Sequence, residues 1–204
     1  NIEQGEQARA LIMRSIGWLV QMGTGKWTGW SFPWAALIAA RVGQGNLAWD
    51  MLRRYTDAFI KPYTLHINGD PRRFGHSWAT YEPMTLEAGF AFAAAIMEML
   101  LQSWGGVLRL FPALPDRWHD AAFEDLRAEG AFLVSSRLHA GEDRRQDRLR
   151  RAGGDGDLAA GVVAAAVQAL GLLGHRFAQR DDAGHRRVLV VAFAHRLRHV
   201  IDQP

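Results

Sequence analysis

Between Thr85 and Ser103 the chain reads TLEAGFAFAAAIMEMLLQS, a stretch too apolar to lie on a protein surface, whose charge-free run between Glu87 and Glu98 is too short to cross a membrane. A helix hydrophobic almost all round must be covered by other elements, so this stretch sets the architecture around it. Thr85 is placed to cap it, and Phe90, Ala94, Met97 and Leu101 follow the spacing of a buried helical face. Glu87 falls in the first turn. A helix N-terminus stabilises a carboxylate there, which suits it to accept a proton from water or to hold a polar ligand. The plainer reading is a charge that only complements the helix dipole.

Upstream, the pattern is also helical. Glu3 to Met22 carries an apolar stripe of Leu11, Ile12, Ile16, Leu19 and Val20 and stops at Gly23. Gly23 to Gly29 is a turn. A second helix opens at Ser31, with Pro33 in its first turn, and runs to Gly43; Asn46 caps a third from Leu47 to Ile60, closed by Pro62. Asn1 opens the chain inside a helical pattern, which reads as an internal start. Trp27, Trp30 and Trp34 bracket the second helix's start, where indoles either stack on the apolar face of a pyranose or plug the end of a helical layer.

From Lys61 to Met84 periodicity stops. A loop of this length in a compact domain is more often functional than filler, and it gathers His66, Asn68, Asp70, Arg72, Arg73, His76, Trp78, Tyr81 and Glu82. NGDP makes Asp70 an Asx-turn residue. His66 and His76 lack a metal-ligand spacing on any regular element and read instead as neutral hydrogen-bond partners for hydroxyls; no metal or cofactor is expected.

After Ser103 the period changes from 3.6 to 2, with strands at Val107–Phe111, Phe123–Leu126 and Ala131–Val134, the last two joined through RAEG. The α-to-β boundary falls near Gly105.

Several of these motifs resemble one family. GFAFAAAIMEMLLQS, GGVLRLFPALPDRW and FEDLRAEGAFLVSSR follow one another as at the junction of the catalytic and C-terminal β domains of glycoside hydrolase family 95, which contains α-L-fucosidases. The likeness reaches upstream through GTGKWTGWSFPWAALIAARVGQGNLAWDMLRRY and HINGDPRRFGHSWATYEPMTLEAGF, covering about residues 5 to 138. It implies a mainly α chain: part of an (α/α)6 barrel over residues 1–104, the first strands of a β domain over 105–138, and a tail of uncertain structure over 139–204. It further implies inverting hydrolysis of a terminal α-linked sugar, with an oligosaccharide or polysaccharide as substrate. Glu87 matches the family's base-side carboxylate, and Trp30, Trp34, His66, Asn68, His76 and Tyr81 become wall candidates. The family's Asp-Gly-Asn is Glu87-Ala88-Gly89 here, and a histidine six residues ahead of that aspartate is Tyr81, which puts fucose itself in question. The family's general acid lies upstream of the matched region, so the chain alone is expected to be inactive. The competing reading is a non-catalytic carbohydrate-binding or scaffold module on the same helices.

Composition bears on what remains. Residues 1–136 carry 12 Lys+Arg against 13 Asp+Glu, whereas residues 137–204 carry 12 Arg against 8 acids, so the basic character sits in the tail. All eight Trp and all three Tyr precede residue 119, leaving no basic stripe interleaved with aromatics and no expected nucleic-acid partner. No secretory or membrane-spanning pattern is present in the sequence, no membrane partner is expected, and the absence of cysteine leaves the compartment open. The tail contains no Ser, Thr, Lys, Asn, Met, Trp or Tyr, a poor supply for strands and turns. Two readings follow: a coding frame lost shortly after Leu138, or a basic helical extension with helices at Leu158–Leu173 and Val188–Val200. Translating the underlying nucleotides in the other two frames separates them.

Overall fold

A computed structural model describes residues 5–62, 64–139 and 146–151. Among them the chain is mixed α/β. Helices α1 (Glu6–Gln21), α2 (Ser31–Arg41) and α3 (Gly45–Phe59) come first, then α4 (Glu87–Leu100), with the two-residue strands β1 (His66–Ile67) and β2 (Met84–Thr85) between α3 and α4. β3 (Leu101–Trp104), β4 (Val107–Leu110), β5 (Asp120–Ala128), β6 (Phe132–His139) and β7 (Gln146–Arg151) follow. The sheets are antiparallel, ordered β1-β2, β3-β4 and β5-β6-β7, and none of them closes. No helix of the described residues is long and apolar enough to cross a membrane.

The centre of the helical part is α2. Ala36, Ala39 and Ala40 are fully buried, and side chains this small let α3 and α4 approach closely on either side. Phe32 anchors one end, its ring 4.9 Å from that of Phe59 at the end of α3, so α2 and α3 run antiparallel. At the other end Arg41 reaches Glu98 with a two-pronged contact of 2.5 Å on each oxygen, and Gln102 donates to the Ala40 carbonyl at 2.8 Å. α2 and α4 are therefore parallel, with both N-termini at one end of the molecule.

The buried face of α4 differs from the expected one. Ala88, Phe92, Ala95 and Met99 are buried, whereas Phe90 is exposed and Ala94 and Met97 are only half-covered. In a helix apolar on every side, sequence spacing names no unique inner face; the Ala-rich side of α2 selects the small and flat residues of α4. Likewise only Ile16 of the stripe on α1 is buried, and Leu11 and Val20 are exposed.

Capping also departs from expectation. α4 begins after Leu86 with no side-chain cap, because Thr85 is paired with His66 in the β1–β2 ladder. α3 begins after Gln44, and Asn46 sits inside its first turn. Its amide instead clamps Asp116, donating to the carboxylate at 2.7 Å and accepting from the Asp116 N–H at 2.9 Å. That ties α3 to the FPALPD turn.

The helix expected to reach Ser103 ends at Leu100. Leu101 turns to extended geometry (φ −142°, ψ 126°), and Gly105 and Gly106, with φ of 64° and 72°, make the hairpin that returns β4 onto β3. Gln102 fixes this switch: besides Ala40, its amide reaches the Glu98 carbonyl at 3.1 Å and accepts from the Trp104 indole at 3.2 Å. The core passes without a break from helices to sheet, with Phe92, Met99, Phe111, Phe123 and Val134 in one buried cluster. β5 and β6 fall where the period-2 pattern places them. β7, drawn from the compositionally odd tail, continues that sheet as the neighbour of β6. The helices expected at Leu158–Leu173 and Val188–Val200 lie outside the described residues.

Two glycines predict opposite outcomes. A Cβ on Gly45 collides with the backbone of Leu114, while one on Gly17, in mid-helix, meets nothing within 4 Å. Gly45→Ala should destabilise the fold by about 1–3 kcal/mol, and Gly17→Ala should stabilise it by up to ~1 kcal/mol, both read from urea unfolding.

Candidate functional site

The N-termini of α2 and α4 share one end of the molecule, and two loops are laced over it. The first, residues 22–30, precedes α2; the second, residues 61–86, joins α3 to α4. Asn68 is the main stitch. Its carbonyl accepts from the Gly29 N–H at 3.0 Å, its own N–H donates to the Pro83 carbonyl at 3.2 Å, and its side-chain Oδ1 lies 3.3 Å from both the Trp30 N–H and Nε2 of His66. The Nε2–H tautomer of His66 supplies a donor for that contact. Gly29 has to be glycine: a Cβ there meets the His66 ring and the Ile67 carbonyl.

Asp70 performs more than the expected Asx turn. It is fully buried, and its carboxylate accepts from the Phe74 and His76 N–H groups at 3.0 and 3.1 Å, closing the 70–76 segment on itself. Ser77 then bonds the Trp27 carbonyl at 2.5 Å and accepts from the Ala79 N–H, pinning the second loop to the first.

Glu87 is exposed at the start of α4, and its Oε2 accepts from the Leu86 N–H at 3.0 Å. Its own backbone N–H is the main cause holding the carboxyl below the usual range. Desolvation opposes this, while the Leu86 N–H, the Thr85 hydroxyl and the charge of His66 add to it. Such a group stays ionised, which suits a proton acceptor and not a proton donor.

His66 is only 3% exposed, stacked on Tyr55 with ring centroids 5.4 Å apart. Burial pushes its pKa down, against the opposing effects of Asn68, the Phe59 carbonyl and Glu87. The imidazole is thus part of the floor that aligns Thr85, and through it Glu87.

The wall candidates divide. Trp30 and Trp34 are 38% and 39% exposed and stack on each other at 6.3 Å, a paired apolar surface beside Asn68. Trp27 turns inward, edge-on to Phe32 at 5.3 Å. Tyr81 is exposed on the second loop. His76 belongs elsewhere: it lies between Phe32 and Phe74, over the last turns of α3, and burial together with Arg54 lowers its pKa. The structure thus links Trp30, Asn68 and His66 by hydrogen bonds and sets Glu87 close enough to His66 to feel its charge, whereas Trp34, stacked on Trp30, also borders a groove with Leu37, Arg41 and Glu98, and His76 lies to the side. Glu82, the other exposed acid nearby in sequence, is taken by Lys61 at 2.8 Å. Sequence reasoning missed the pinning roles of Asp70 and Ser77; NGDP carried a signal for the first, and nothing marked the second.

No family model matches the chain. Over 108 residues, 52% of the chain, the sequence is 35% identical to "Alpha-L-fucosidase 2" of Arabidopsis thaliana. The matched region spans 13% of that protein's length.

Because burial lowers the pKa of His66 and His76, the unfolded chain binds protons more readily than the folded one as pH falls through the ordinary histidine range near 6.5. Stability should therefore be complete above that pH and decline below it until the lowered folded-state values are passed. His66→Gln should flatten the decline, as measured by urea midpoints between about pH 7.5 and 5.

Proposed function

We propose that the chain is part of a glycoside hydrolase of the family 95 type, cleaving a terminal α-linked sugar, fucose or a related one, with inversion. In this reading residues 1–104 are the C-terminal part of an (α/α)6 catalytic domain and residues 105–138 open a β domain. Glu87 is the carboxylate that activates water. The observation that carries the reading is its environment: an exposed, ionised Glu at a helix N-terminus beside the buried His66, which shares the side chain of Asn68 with the backbone of Trp30. The likeness to a fucosidase over half of the chain supports the same class.

Inversion requires two carboxyl groups about 6.5–9.5 Å apart with water between them. Glu82 is engaged by Lys61 and Asp70 by backbone N–H groups, so neither is offered here as the proton donor. That role belongs to a segment upstream of the stretch described. Trp30 and Trp34 receive an apolar sugar face, Asn68 and His66 hold the wall and the base in register, and Tyr81 borders the opening. The substrate is accordingly an oligosaccharide or polysaccharide.

The exposed Trp30–Trp34 pair alone would equally serve a binding module, and Glu87 separates the two. In a longer protein containing this stretch, Glu87→Gln should lower kcat on an α-linked glycoside by about 10²–10⁴-fold, with KM and folding little changed. Sugar binding that persists with no turnover before or after the substitution establishes the binding module instead. The 204-residue chain by itself should show no turnover.

A further inference from the structure

Trp78 has no part in the arrangement above, yet it is 75% exposed, more than Trp30, Trp34 or Tyr81. It is nonetheless firmly placed. Its N–H donates to the Gly25 carbonyl at 2.7 Å, Ser77 before it is bonded to Trp27, and Ala79 after it donates to the Ser77 hydroxyl and accepts from the Asp70 N–H. Gly25 packs directly under the indole. A Cβ built there comes 2.6 Å from Cε2, at the ring fusion, and 2.8 and 2.9 Å from the flanking Nε1 and Cζ2, as an approach onto the ring's flat side requires. One side of the indole thus rests on backbone and the other is open.

Exposing so large an apolar surface on a pinned backbone costs stability. Lys26, Arg73 and Thr80 are exposed in the same two loops, and Phe74, 52% exposed, carries the Arg72 guanidinium 4.8 Å from its ring centre and stacks on His76. The open face of the indole itself is about one ring wide, framed by polar and charged side chains as well as by Phe74. It matches the C–H side of a single pyranose, the ligand for which a fixed indole with polar neighbours is suited. Trp78 also lies on the same laced rim as Glu87. From Ala79, bonded to Asp70, to Thr85, paired with His66, the loop covers six residues, up to about 20 Å if extended. An oligosaccharide, and not a single ring, has the reach to span a separation of that order.

We propose that Trp78, seated on Gly25, is an outer stacking subsite for a neutral oligosaccharide whose terminal residue lies at Glu87. The ligand is then a chain of several pyranoses, not a free sugar or a small glycoside. This rests on the glycosidase reading for the position of the terminal residue. Because the indole is already in place, the stacking contact adds to affinity without an ordering cost at the loop.

The test uses the full 204-residue chain and two probes, methyl α-L-fucopyranoside and a neutral, fucose-terminated pentasaccharide, titrated calorimetrically. The pentasaccharide should bind roughly tenfold more tightly than the monosaccharide, the scale of one good aromatic stacking contact. Trp78→Ala should erase that difference and leave the monosaccharide affinity unchanged, Trp78→Phe should keep most of it, and Gly25→Ala, which displaces the ring without removing it, should behave as Trp78→Ala. Equal affinity for the two probes, or a difference that survives Trp78→Ala, overturns the subsite while leaving the glycosidase reading intact. If neither probe binds, the subsite falls, and the glycosidase reading is decided separately by the Glu87→Gln kinetics.

Discussion

The small side chains of α2 are the constraint on which the rest depends. Ala36, Ala39 and Ala40 leave so little between α2 and its neighbours that α3 and α4 must lie against it, and Phe32 and Gln102 fix where along its length they do so. Once α2 and α4 are parallel, their N-terminal dipoles point the same way, and the partial positive charge of two helix ends meets at one surface. A carboxylate placed there is held ionised chiefly by backbone N–H groups, with the Thr85 hydroxyl and the charge of His66 adding to them.

The loops over that surface are ordered by polar contacts more than by apolar burial. Asn68, Asp70 and Ser77 together bond nine backbone groups across three segments, so a stretch with almost no regular secondary structure still has a defined path. Rigidity of this kind is directional: each contact fixes a register, whereas apolar packing tolerates sliding. It allows aromatic rings to stand open to water while their backbones stay in place.

Much of the fold was legible because local chemistry is strong at its boundaries. Ser31 and Pro33 announce α2, Gly23 ends α1, and the alternation after Ala121 announces β5 and β6. What was not legible depended on partners distant in sequence. Thr85 and Asn46 are good caps in isolation, but His66 and Asp116 claim them for other contacts. The inner face of α4 was hidden by its own uniform apolarity, and the helix end at Leu100 is set by Ala40, some sixty residues away, through Gln102. At the site, the residue types were readable and their accessibility was not. Nothing in HIN distinguishes a buried His66 from one that meets a ligand, because its burial is imposed by Tyr55 and by Gly29 from other segments.

The unbroken cluster from Phe92 through Met99 and Phe111 to Phe123 has a consequence for how this chain comes apart. The step from helices to sheet looks, along the backbone, like a seam between two modules. Thermodynamically it is the opposite, since Phe92 and Met99 of the helical side share one buried cluster with Phe111 and Phe123 of the sheet side. A protease nick at the Gly105–Gly106 turn would sever the peptide without freeing either portion, and both should melt in a single cooperative event. The covalent joint and the mechanical joint of this molecule are in different places.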